Sequence, residues 1–87
     1  MSEVKCWAIG TGRVSIMHKA SRDAAKYITE QDGFVGVHIV PDGRTLWLFD
    51  SENSAKVARN NAEAMGIKCG THIGEFFVED KYLGGKS

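Results

Sequence analysis

A strand that leads directly into a helix, between residues 44 and 66, is the feature that most constrains the fold of this chain. The strand core, Leu46 to Phe49, is apolar at every position, so both of its faces need cover. Asp50 or Ser51 then offers a side-chain oxygen to the free amides of a helix start, and Gly66 is a typical helix stop. The apolar stripe of this helix consists of Ala55, Ala58, Ala62 and Met65. Because alanine is small, such a helix can lie close to a sheet.

The rest of the chain predicts three more strands and one more helix. Apolar and β-branched runs indicate strands over residues 4–9, 34–40 and 67–79. Ser21 is the expected N-cap of a helix that ends near Gly33. Its apolar stripe is Ala20, Ala24, Tyr27 and Ile28. Residues 13–20 fit either a short strand or an ordered loop.

The Asp42-Gly43 pair predicts a tight hairpin turn between the second and third strands. A two-residue turn there sets Ile39 opposite Leu46 and Val37 opposite Leu48. His38 then lies beside Trp47, and Gly36 beside Phe49, on the reverse side. Both faces of the sheet are therefore expected to be apolar.

The β-α-β-β-α-β order resembles the ferredoxin-like fold, an α+β sandwich. In that fold a four-stranded antiparallel sheet carries two helices on one face, so the resemblance implies an uncovered second face. Apolar surface that stays in water loses the free energy that its burial would release. We therefore expect another segment or another molecule to cover this face. The alternatives are a homodimer packed sheet on sheet, an extra hairpin from residues 10–20, or a different protein. Residues 1–80 are predicted to form this single domain, with a flexible tail over residues 81–87.

The run Leu-Trp-Leu-Phe-Asp-Ser-Glu-Asn-Ser-Ala-Lys, within residues 44–66, resembles the third strand and second helix of RNA-recognition-motif domains. That likeness implies that Trp47 and Phe49 face the helices. Arg44, Leu46 and Leu48 would face outward, where the family presents base-stacking aromatics, and leucine cannot stack a base as a ring does. Trp7 would keep the family's other stacking position. RNA binding is thus an alternative hypothesis, and not the favoured one.

Two other kinds of chemistry are disfavoured. Gly12-Arg13-Val14, Gly33-Phe34-Val35-Gly36 and Asp42-Gly43 are similar to parts of acylphosphatases, which share the fold. The phosphate-binding arginine and the water-positioning asparagine of that family do not carry over, because the nearest residues are Lys19 or Ala20 and Val40. Cys69 and His72 have the spacing of two zinc ligands, with Cys6, His18 and His38 as remote partners, but strand cysteines are usually small hydrophobes. We therefore predict no enzyme activity, no metal and no cofactor.

Composition limits the partners. The 87 residues include 11 Lys and Arg and 11 Asp and Glu, so the formal net charge is zero and no overall field attracts nucleic acid or anionic lipid. Two cysteines and the lack of a leader-like start indicate a cytoplasmic protein, and no apolar run is long enough for a membrane span.

These observations predict a non-enzymatic protein-protein interaction module that acts through an apolar sheet face. The expected partner is a second copy or a larger protein, and a role as a small inhibitor or adaptor, for example in the manner of phage anti-defence or anti-CRISPR proteins, is a hypothesis from size and neutrality. The predicted interface residues are Lys5, Trp7, Val35, Val37, Ile39, Leu46 and Leu48. The alternative face is Phe34, His38, Trp47 and Phe49.

Overall fold

The computed structural model describes residues 3–12, 17–70 and 72–79. Its elements are β1 Glu3–Thr11, α1 Lys19–Thr29, β2 Phe34–Ile39, β3 Thr45–Phe49, α2 Glu52–Ala64 and β4 Gly74–Glu79. The strands form one four-stranded antiparallel sheet in the order β2-β3-β1-β4. The predicted α+β class, with four strands and two helices in β-α-β-β-α-β order, is confirmed.

One cluster of buried side chains joins both helices to the sheet. Ile28 of α1 and the alanines of α2 share it with strand residues of odd number, while Ala25 and Phe34 pack against its edge. The strand members are Ile9, Trp47 and Phe49, and the α2 members are Ala55, Ala58 and Ala62. We call this side of the sheet the helix face. The predicted inward orientation of Trp47 and Phe49 is confirmed.

A second, smaller cluster lies on the other side of the sheet. It consists of Cys6, Ala8, Val35 and Leu48, which lie beside strand neighbours that point to the helix face. We call this side the open face, because in the described part of the chain its cluster includes no helix residue. Val4, Leu46 and Val78 pack around it, partly buried.

The β2–β3 hairpin differs from its prediction by one residue. Val40 donates its N–H to the Arg44 carbonyl at 3.0 Å, and Gly43 donates to the Val40 carbonyl at 2.9 Å. The loop thus has three residues and ends at Gly43, whose φ of 98° is left-handed. Val37 therefore pairs with Trp47 and not with Leu48. The predicted pairing was wrong because the loop has three residues and not two. This difference shifts the register by one residue, which moves every side chain of the strand to the other face.

A β-bulge near the start of β2 shifts the pairing by one further residue, which returns Phe34 and Val35 to their predicted faces. Phe34 pairs with Phe49, whereas Gly36 pairs with Leu48, so Val35 is the extra residue. Val35 consequently joins the open face while Phe34 remains against the helix-face core.

The element boundaries bring further corrections. Helix α1 begins at Lys19 with His18 at the N-cap position and no side-chain cap bond, so Ser21 is not the cap. Strand β4 begins at Gly74, later than predicted. Cys69 forms only an isolated antiparallel bridge with Thr11, and both Ile67 and Cys69 pack against the helix-face core.

Some predictions for the ends of the elements hold and others do not. Ser51 caps α2 by accepting from the Ser54 N–H at 3.1 Å, as predicted, but Met65 is exposed and leaves the predicted stripe. The predicted extra hairpin over residues 10–20 is wrong for residues 19–20, because these are helical. The part of that prediction on residues 13–16, and the flexible tail predicted over residues 81–87, lie outside the described residues. None of the described helices has the length and apolar character needed to cross a membrane.

Candidate interaction surface

The open face contains a groove because its central strand carries small side chains. Cys6, Ala8 and Gly10 follow one another along this side of β1. Larger residues stand on both neighbouring strands, Leu46 and Leu48 on β3 and Phe76 and Val78 on β4. The resulting groove has a volume of about 600 Å³. Leu46, Leu48, Phe76 and Val78 line the groove, together with Val37 and His38 of β2.

The groove has a closed floor and an exposed apolar wall. Cys6 and Ala8 are buried, and Leu48 is only 5% exposed, so the floor is already covered by its neighbours. Phe76 is 38% exposed and Leu46 is half-buried. A partner would therefore gain mainly from covering the walls, at roughly 25 cal/mol per Å² of apolar area.

Polar groups lie along the groove beside this apolar centre. Glu3 and Glu79 pair across β1 and β4 and line it at one end, while His38, which pairs with Leu46, lines it on β2. Because Glu3 and Glu79 alternate in step with Lys5, their side chains belong to the helix face, and His38 is the polar side chain that lies on the open face.

The structure does not bring the predicted interface residues together on one face. Val35, Leu46 and Leu48 lie on the open face, as the prediction required. Lys5 and Trp7 share the side of β1 that carries Ile9, so they belong to the helix face. The remaining two, Val37 and Ile39, pair with Trp47 and Thr45 at the β2 edge.

The alternative set is divided as well. Phe34, Trp47 and Phe49 are part of the helix-face core or pack against it, and His38 alone lies on the open face. The one-residue error in the hairpin register misplaced Val37, Ile39 and His38. Lys5 and Trp7 were misplaced because the RNA-recognition-motif resemblance put that side of β1 on the outer face.

Sequence reasoning missed the open-face residues of β1 and β4, which are Val4, Cys6, Ala8, Phe76 and Val78. Cys6 and Ala8 could have been found by alternation, since Ile9 between Ala8 and Gly10 is the expected core residue of β1. Phe76 and Val78 needed the register of β4 against β1, and strand sequence alone does not specify it.

Trp7 is occupied by contacts within its own sheet. The Lys5 ammonium lies 5.2 Å from the centre of the Trp7 ring and forms an ion pair with Glu75 at 3.0 Å. Because these residues are on the helix face, Trp7 cannot share a base-stacking platform with Leu46 and Leu48. The geometry therefore gives little support to RNA binding through the open face.

Neither thiol is poised as a nucleophile. Burial, with a smaller contribution from the charge of Asp50, raises the pKa of the Cys6 thiol. Burial also raises the pKa of Cys69, and the Glu63 carboxylate adds to that effect. Both groups are protonated near neutral pH, and protonated thiols are weak nucleophiles and weak metal ligands. Within the described ranges, no three His, Cys, Asp or Glu side chains come together as a metal site.

Comparison with protein-family models, with curated proteins and with solved structures gave no match.

Proposed function

We propose that the protein is a non-enzymatic protein-protein interaction module that binds through the apolar groove of its open face. The observation that carries the proposal is a sheet face with Leu46 and Phe76 partly exposed along a groove that no described helix covers. Surfaces of this kind mark interaction sites in soluble proteins. A second copy, packed sheet on sheet, is the preferred partner, and a larger protein target is the alternative.

The fold assignment that accompanies the proposal is ferredoxin-like. The strand order β2-β3-β1-β4 supports it, as does the contribution of both helices to one buried cluster. Small size and zero net charge are compatible with a role as inhibitor or adaptor in the cytoplasm.

The test is a charge placed in the groove wall. Leu46→Glu sets a carboxylate at the centre of the proposed contact, and its half-buried position lets the new side chain turn to solvent in the free chain. We expect the solution mass of the wild-type protein, measured by light scattering, to exceed that of one chain, and the variant to have a lower mass. Circular dichroism checks that the variant remains folded.

Val57→Glu is the matched control, because Val57 is an exposed valine on α2, on the other side of the sheet. It is expected to keep the wild-type mass. Equal masses for the wild type and Leu46→Glu would contradict self-association through the open face.

A further inference from the structure

The free edge of β2 lacks the features that keep sheet edges from pairing. From Phe34 to Val40 the sequence contains no Lys, Arg, Asp, Glu or Pro. At the other edge of the sheet, β4 carries Glu75 and Glu79. Edge strands are normally protected by charged residues, prolines or cover from other elements. In the described part of the chain β2 pairs with β3 alone, so its outer side is available.

The backbone direction at this edge follows from the hairpin. Val40 donates its N–H to the Arg44 carbonyl, so its polar groups point toward β3. Backbone groups alternate along an antiparallel strand, so those of His38 also point toward β3. The N–H and C=O groups of Val37 and Ile39 therefore point outward. Their side chains are 52% and 67% exposed.

These directions define a self-complementary register. If two β2 strands meet antiparallel about a two-fold axis at His38, each Val37 lies opposite Ile39 of the other copy. Both residues direct their backbone groups outward, so each such pair exchanges two hydrogen bonds. The two pairs together form four backbone hydrogen bonds and two apolar cross-strand contacts. The bulge at Val35 lies outside the paired segment.

A second copy suits this edge better than an unrelated peptide. An isologous contact presents the same preformed strand twice, so neither partner loses the entropy of ordering a flexible segment. The paired segment contains no Lys, Arg, Asp or Glu, and the net charge of the chain is zero. We propose that two copies of the chain pair through their β2 edges, centred on His38, to form one continuous eight-stranded sheet.

This contact is independent of the groove contact proposed above. The two-fold axis is perpendicular to the sheet, so both open faces lie on the same side and the grooves of the two copies become parts of one surface. Val37 and His38 also line the groove, but edge pairing uses the outward backbone groups of β2, whereas groove packing uses the side chains on the open face.

Disulfide trapping of His38→Cys tests the register. In the proposed pairing the two residues form a non-hydrogen-bonded pair with Cα atoms about 4.5 Å apart, within the range that a disulfide spans. Cys69→Ser is the background, since the remaining Cys6 is fully buried. In a glutathione redox buffer we expect His38→Cys to give a covalent dimer on non-reducing gels, and the background protein to give none.

Ile39→Cys is the register control. In the same pairing, its two copies would lie two residues apart along the strands, roughly 8 Å between Cα atoms, which is too far for a disulfide. Equal cross-linking of His38→Cys and Ile39→Cys would overturn the proposed register. A mixture of Val37→Cys and Ile39→Cys chains is the second readout, and it should give a cross-linked heterodimer.

Ile39→Lys separates edge pairing from random collision. A lysine at this edge opposes pairing, so adding it to His38→Cys should abolish the covalent dimer, while adding Val57→Lys on α2 should leave it unchanged. Leu46→Glu should also leave the cross-link in place, since that residue belongs to the groove. Absence of a cross-link in folded His38→Cys and in the mixed pair would overturn edge pairing without affecting the groove proposal.

Discussion

At the scale of single residues, Trp47 shows how the core satisfies a buried polar atom. Its indole Nε1–H donates to Thr11 Oγ1 at 3.0 Å, and the Thr11 hydroxyl donates in turn to the Gly12 carbonyl at 3.1 Å. Trp47 is only 3% exposed, so water does not readily replace the threonine. This bond joins the last residue of β1 to the central residue of β3.

Thr11→Val is expected to lower the free energy of unfolding by about 1–3 kcal/mol, because it leaves the buried indole N–H without its acceptor while it preserves the side-chain volume. Urea unfolding followed by tryptophan fluorescence measures the change. Thr11→Ser keeps the hydroxyl and should cost less. A valine variant as stable as the serine variant would show that the bond contributes nothing.

The thiols give a second prediction at this scale. Cys6 is fully buried and Cys69 half-buried, and burial raises the pKa of both, so the thiolate form appears only at a pH above that of a free cysteine. With an aromatic disulfide reagent near neutral pH, we expect slow modification of Cys69 and none of Cys6 until the protein is unfolded. The rate at Cys69 should rise with pH, and Cys69→Ser should abolish the native reaction. Rapid labelling of two thiols in the native protein would contradict this.

At the scale of elements, the turn between α1 and β2 is coupled to the start of α2. Gly33 has a φ of 84°, and a Cβ there would lie 2.6 Å from Asp50 Oδ1 and 2.6 Å from Ser54 Oγ. Ser54 also takes part in the N-cap of α2, since its N–H donates to Ser51 Oγ. A side chain at residue 33 would therefore disturb both elements.

Gly33→Ala and Gly66→Ala form a matched pair of substitutions. Both glycines are left-handed, with φ of 84° and 88°, but a Cβ at Gly66 would meet no atom within 4 Å. Gly66→Ala should cost about 1–2 kcal/mol of backbone strain. Gly33→Ala should lower the free energy of unfolding by about 1–3 kcal/mol more, because the new Cβ would also clash with Asp50 and Ser54. Thermal unfolding compares the stability of the two variants. Equal losses of stability would show that the turn at residue 33 accommodates the new Cβ without strain.

At the scale of the whole molecule, neutrality determines how association responds to salt. The chain has no net charge, and the two proposed contacts are mainly apolar or between backbone groups. Binding to nucleic acid depends instead on counterion release from phosphates and weakens steeply with salt. Salt therefore separates the proposed function from its RNA-binding alternative.

We expect self-association measured by analytical ultracentrifugation to be unchanged or stronger when salt rises from about 50 to 200 mM. In the same series the protein should not retain a single-stranded oligonucleotide at the lower salt. Salt-sensitive oligonucleotide retention that disappears in Trp7→Ala would favour RNA binding, and dissociation of the assembly by salt would show that charges hold it together.

The element order and helix α2 could be predicted from the sequence because their signals are local. The Ser51 cap, the buried Ala55, Ala58 and Ala62 and the left-handed Gly66 act within a few residues of one another. The faces of β2 could not be predicted in this way. A loop of two or three residues around Asp42-Gly43 is compatible with the same local pattern, and the choice reverses every side chain of the strand.

The groove is even less predictable from local sequence patterns than the faces of β2. It requires Cys6 and Ala8 of β1 to lie between Leu48 of β3 and Phe76 of β4, residues that are distant in the chain. The sequence by itself determined which segments form helices and strands, since caps, stops and periodicity are properties of neighbouring residues. Tertiary structure alone decided the strand register and the face of each side chain, because those depend on pairing between segments, where a shift of one residue changes the outcome.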